Sequence, residues 1–90
     1  VSGGEFALYQ NQPNPVTNET VIGFNMPKDG QARLTVTAAD GKVVKVVNGT
    51  YNAGYNVISI NKGDINASGV FYYRLETADH SATKKMVIIE

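Results

Sequence analysis

Ninety residues with eight Lys and Arg, eight Asp and Glu and no Cys set bounds on what this chain can be. That length supports one domain, burying roughly 60–65% of the surface its unfolded form exposes, and the zero net charge argues against nucleic acid or anionic lipid as a partner. Without Cys there is neither a disulfide framework nor a thiolate metal site, and no apolar run approaches the ~18 residues of a membrane span.

The chain opens Val1-Ser2-Gly3-Gly4 and reads as a module cut from a longer polypeptide, with residues 1–5 a flexible linker by composition and residues 6–90 the domain. A first strand is expected over residues 6–10, followed by a rigid loop at Pro13-Asn14-Pro15, whose prolines exclude a central strand. A second, over residues 20–26, alternates Ile22, Phe24 and Met26 inward with Val21, Gly23 and Asn25 outward, and ends in the turn Pro27-Lys28-Asp29-Gly30. The third sets Ala32, Leu34 and Val36 against Arg33, Thr35 and Thr37 before a turn at Ala39-Asp40-Gly41.

Two registers are open at that turn. A two-residue Asp-Gly loop opposes Val36 with Lys45 and puts a charge on the buried face. A three-residue loop with Gly41 left-handed opposes Val36 with Val44 and Leu34 with Val46, and is preferred because an unpaired buried ammonium costs more than a bulge. The fourth strand then covers residues 42–49, and Asn52-Ala53-Gly54 turns the chain into a fifth over residues 55–60, with Ile58 and Ile60 in the core. Residues 61–68 read as a polar loop leading through Gly69 to the sixth strand, residues 70–77, where Phe71, Tyr73 and Leu75 alternate with Tyr72, Arg74 and Glu76. Ala78-Asp79-His80-Ser81 closes a last hairpin onto a seventh strand, residues 82–89. No helix is expected. Seven short strands at roughly 8–12-residue spacing predict an all-β, seven-stranded antiparallel immunoglobulin-like β-sandwich with Greek-key connections, ahead of a small barrel.

Catalysis finds little to work with. His80, the single histidine, sits between Asp79 and Ser81, but adjacent residues cannot converge as nucleophile, base and orienter. Asp64, Asn66 and Ser68 offer oxygen ligands without the spacing or closing Glu of a calcium loop. Asn18, Asn48 and Asn66 open Asn-x-Ser/Thr triplets of the kind that arise by chance in Asn-rich turns. Tyr9, Tyr51, Tyr55 and Tyr72 are candidate surface aromatics for a sugar platform, with sandwich packing the simpler role. No catalytic, metal or cofactor site is expected.

An ordered string of motifs goes further. Leu8-Tyr9-Gln10-Asn11 with Pro13-Asn14-Pro15, then Ile22-x-Phe24-x-Met26-Pro27, Leu34-x-Val36 and Gly41-Lys42-Val43-Val44, resemble the C-terminal sorting domains of type IX secretion in Bacteroidetes-type bacteria. Gly69-Val70-Phe71-Tyr72-Tyr73-Arg74-Leu75 and the closing Thr83-Lys84-Lys85-Met86-Val87-Ile88-Ile89 resemble the same family. Gln12, Val16 and Ala38 depart from its usual residues. The resemblance marks Pro13, Asn14, Pro15, Gly41, Gly69, Tyr73 and Arg74 as family-motif positions. It implies a non-catalytic, cofactor-free domain that directs a passenger across the outer membrane to the surface or medium. Its partners would be an outer-membrane translocon and a sortase-like surface peptidase that removes the domain, and the domain would be monomeric.

Within that reading the recognition element is expected at Lys84, Lys85, Met86, Val87, Ile88 and Ile89. The run is more continuously apolar than a half-exposed strand needs, and it is preceded by two cations. A partner could add to this strand at a sheet edge or grip its exposed side chains. The competing expectations are an accessory carbohydrate- or protein-binding module and a structural spacer.

Overall fold

The period-two alternation becomes two antiparallel sheets in the computed structural model, which describes residues 4–89. The described residues form β1 (Ala7–Leu8), β2 (Glu19–Met26), β3 (Gly30–Ala38), β4 (Val43–Tyr51), β5 (Gly54–Asn61), a helical turn α1 (Lys62–Ile65), β6 (Gly69–Glu76) and β7 (Ser81–Ile88). One sheet has the order β1-β2-β5 and the other β4-β3-β6-β7. The chain therefore changes sheet between β2 and β3, between β4 and β5 and again between β5 and β6, giving a sandwich rather than a closed barrel. Constant-type immunoglobulin domains place the fourth strand with the first, second and fifth. Here β4 pairs with β3 in the opposite sheet.

Parity decides the core. Ile22, Phe24 and Met26 of β2 and Ile58 and Ile60 of β5 face Ala32, Leu34, Val36, Phe71, Tyr73, Leu75, Met86 and Ile88 of the second sheet, all buried. Each large apolar side chain so placed contributes about 1.5–3 kcal/mol relative to leaving it in water.

The β3–β4 hairpin departs from the expected register. The three-residue loop forms, with Gly41 at φ +96 and its N–H donating to the Ala38 carbonyl, and the Ala38 N–H donating to the Lys42 carbonyl. After Thr37 pairs with Val43, however, a bulge admits Val44 as an extra residue, so Val36 opposes Lys45 and Leu34 opposes Val47. The cost that disfavoured this register is offset from elsewhere. Lys45 is half-buried rather than enclosed, and its Nζ reaches the Asp64 carboxylate at 3.6 Å.

That carboxylate belongs to α1, which replaces the expected polar loop. Ile65 is buried against the core, Asn66 turns left-handed at φ 55 with its N–H donating to the Lys62 carbonyl, and the Lys62 N–H donates to the Asn18 carbonyl. One apolar residue in an otherwise polar run draws the segment onto the sandwich. The first strand is also shorter than expected: after the Tyr9 N–H bonds the Gly23 carbonyl the ladder is interrupted, Gln12 re-pairs with Val21 of β2 through two backbone hydrogen bonds, and at Val16 the chain reaches the other sheet. Of the expected linker, Val1, Ser2 and Gly3 lie outside the described residues, as does Glu90. The Glu5 carbonyl accepts from Asn25 Nδ2 at 2.8 Å.

Candidate recognition surface

Residues 10–16 are placed by a buried polar knot. The Tyr73 hydroxyl, on fully buried Tyr73 of β6, donates to the Tyr9 carbonyl and accepts from the Asn11 N–H, both at 2.8 Å. Asn11, itself buried, donates through Nδ2 to Thr20 Oγ1 and to the Pro13 carbonyl, each at 3.1 Å, and Thr20 Oγ1 donates to that same carbonyl at 3.1 Å. Burial pushes the Tyr73 phenol above its ordinary value of 10.0, and the Asn11 N–H pulls partly against that rise. Residue type by itself gives neither Asn11 nor Thr20 a structural role. For Thr20 the signal was there, since it shares parity with Ile22, Phe24 and Met26.

From this knot the segment runs along the outer edge of β7. Gln10 Nε2 donates to the Lys85 carbonyl at 2.7 Å, and the Val87 N–H donates to Asn14 Oδ1 at 3.0 Å. The Val16 N–H then donates to the Val87 carbonyl at 2.8 Å and the Ile89 N–H to the Val16 carbonyl at 2.9 Å, a short parallel bridge anchored by buried Val16. Edges of this kind are templates for unwanted strand pairing, and here two amide side chains and one backbone residue occupy the stretch. The Pro13, Asn14 and Pro15 side chains are exposed, and the loop's part in the fold is to give the Pro13 carbonyl to the polar knot and to present Asn14 and Val16 to β7.

The six expected recognition residues divide by parity. Met86 and Ile88 are buried in the core, and Lys84, opposite Tyr73, is half-buried on the inward side. Lys85 is exposed, Val87 is half-buried with its side chain outward, and Ile89 is exposed. Among the motif positions, Gly69 adopts φ +123 at the start of β6, a conformation that side chains disfavour. Arg74 points outward, 3.9 Å from Glu76.

The remaining candidates are committed elsewhere. His80 stacks on Phe6 at 5.0 Å and its backbone is tied to Thr77, while Asp79 pairs with Lys28 at 3.5 Å. Asp64 faces Lys45 rather than Asn66 and Ser68. Tyr51 turns inward, edge-on to Phe24 at 5.0 Å. Tyr9 and Tyr55 pair on the outside of the three-stranded sheet, 6.1 Å apart and tilted by 44°.

Fold and surface together define a small β-sandwich module whose polar side chains tie the chain to itself and whose outward faces carry the accessible side chains. Residues 11–89 match the family model described as the secretion system C-terminal sorting domain, and the chain belongs to that family. No curated protein matches it. It is a non-catalytic type IX secretion signal domain, one that takes a passenger across the outer membrane to the cell surface or beyond and interacts with the secretion machinery in doing so. No helix of the described residues is long and apolar enough to cross a membrane.

Proposed function

We propose that the folded domain is itself the export address, and that the outer-membrane translocon reads it at the last hairpin, with Lys84, Lys85, Met86, Val87, Ile88 and Ile89 as the recognition strand. A sortase-like surface peptidase then separates passenger from domain in or before residues 1–5, leaving residues 6–90 as a monomeric unit. The observation that supports this reading is that Lys85, Val87 and Ile89 remain accessible on a strand whose backbone is held along both edges. Met86 and Ile88 act by fixing that strand in the core, and Pro13, Asn14, Pro15 and Tyr73 act by building its support.

The test fuses residues 1–90 behind a periplasmic reporter in a type IX-competent strain. The reporter is expected at the surface or in the medium, and a folded fusion retained in the periplasm would overturn the portable address. Lys85→Glu with Val87→Thr, first shown to melt like the parent, is expected to slow export. Export of that double variant at the parental rate would remove the terminal strand from recognition.

A further inference from the structure

Most of β7 is already spoken for between residues 85 and 89. Met86 and Ile88 are in the core, one edge is paired to β6, and the other is covered by residues 10–16. A partner that reads this stretch of the folded domain therefore meets its outward face and not a free strand edge. On that face β7 does not stand alone. Val70 lies directly opposite Val87, Tyr72 opposite Lys85 and Arg74 opposite Thr83, so the side chains of β6 and β7 stand beside one another at the spacing of cross-strand neighbours.

The face differs in charge from the other side of the sandwich, although both expose apolar side chains, Tyr9, Tyr55 and Val57 on the three-stranded side. Among the described residues, Val43 and Val46 of β4 and Val70 and Tyr72 of β6 are exposed large apolar side chains on the outer face of the four-stranded sheet, with Ile89 following β7. Its charged outward positions are Arg33, Arg74 and Lys85 against Glu76, which lies 3.7 Å from Arg33 and 3.9 Å from Arg74. The outward positions of β2 and β5 carry Glu19 and no cation. One anion shared between two guanidiniums, with Lys85 additional, leaves the four-stranded face with an excess of positive charge, Arg33 and Arg74 toward one end and Lys85 beside Tyr72, adjoining the apolar Val70, Val87 and Ile89.

Resting on the reading above that the translocon recognises the last hairpin, we infer that the contact surface is a composite of β6 and β7: Val70, Tyr72 and Arg74 beside Lys85, Val87 and Ile89. The partner it fits is a protein surface with an apolar patch adjoined by acidic groups, engaged side chain to side chain. Apolar and aromatic side chains beside fixed charge let a modest patch bind specifically, the apolar part supplying affinity and the charge orientation. The continuous run at the end of the chain is then half of the signal, and the other half is supplied by alternate residues of a strand that sequence order places before the turn.

The experiment leaves β7 untouched. In the reporter fusion, Val70→Thr, Tyr72→Thr and Arg74→Gln are introduced together, replacing exposed side chains with residues that suit a strand or keep its polarity. A matched control carries Tyr55→Thr and Val57→Thr on the opposite sheet. Both are compared with the parent by melting transition before export is measured. The β6 variant is expected to export about ten-fold or more slowly, as loss of a contact centre does, while the control keeps the parental rate. Should the triple variant melt below the parent, Tyr72→Thr and Arg74→Gln singly carry the same comparison.

Parental-rate export of the β6 variants, with Lys85→Glu/Val87→Thr impaired, would overturn the composite surface and leave a linear terminal signal. An equal loss in the opposite-face control would overturn it as well, since the effect would not belong to this face. Failure of the unsubstituted fusion to leave the periplasm would remove the sorting reading and this inference with it.

Discussion

The Tyr73 hydroxyl serves two backbone groups on the segment leaving β1, so its removal strands both in a buried site. Tyr73→Phe is expected to cost about 1–3 kcal/mol in chemical denaturation, more than the net worth of one ordinary hydrogen bond. Because burial raises the phenol of Tyr73, and that of Tyr51, above the ordinary 10.0, the unfolded chain ionises first as pH climbs. The stability tied to the neutral phenols is thus complete below pH 10.0 and lost above it, and Tyr73→Phe should make the alkaline decline shallower, leaving the part due to Tyr51. Two glycines give a contrast at the same scale. A Cβ on Gly49 would meet the Tyr51 hydroxyl at 2.9 Å and its ring at 3.0 Å, and that ring is held edge-on against Phe24. A Cβ on Gly23 would press still harder on Tyr55, but Tyr55 is 66% exposed and can swing away. Gly49→Ala should therefore destabilise by about 1–3 kcal/mol, whereas Gly23→Ala should stay within about 0.5 kcal/mol of the parent, both read by denaturant titration. The inward parity of Tyr73 could be read from its neighbours Phe71 and Leu75. Its hydroxyl partners could not, because they lie 64 and 62 residues away along the chain.

At the scale of elements, the terminal strand owes its order to a segment from the other end of the chain. Asn14→Ala removes the acceptor of the Val87 N–H, so exchange of that amide should accelerate about ten-fold or more, while amides in the β3–β6 ladder keep their protection. Equal exchange in variant and parent would show that Asn14 does not hold the edge. The Pro13-Asn14-Pro15 loop was recognisable from its residue types, but not the edge it would cover. The β3–β4 register shows the same limit. Local reasoning weighed Lys45 as an unpaired buried charge, which was correct for the hairpin in isolation and incorrect for the domain, where α1 brings Asp64 to it. The helical turn itself escaped notice because four residues carry too little periodicity to register, and the buried Ile65 that anchors it stands alone among polar neighbours.

For the molecule as a whole, stability rests on a single core between a three-stranded and a four-stranded sheet. Leu34 sits at its middle, fully buried and paired with Val47 on one side and Leu75 on the other. Leu34→Ala should cost about 2–5 kcal/mol, a large share of the ~5–15 kcal/mol a domain holds, and a loss within about 0.5 kcal/mol would displace Leu34 from that position. Most of this core was readable beforehand, because alternation along a strand and Gly, Pro and Asp at turns are properties of residues a few places apart. So, by ordered motif, was membership of the sorting family. The tertiary structure alone decided which residue faces Lys45, what covers the edge of β7, and which outward side chains of β6 stand beside those of β7. Each of these depends on the fit between segments distant in sequence, where the energy of a contact is set by a partner that local pattern does not specify.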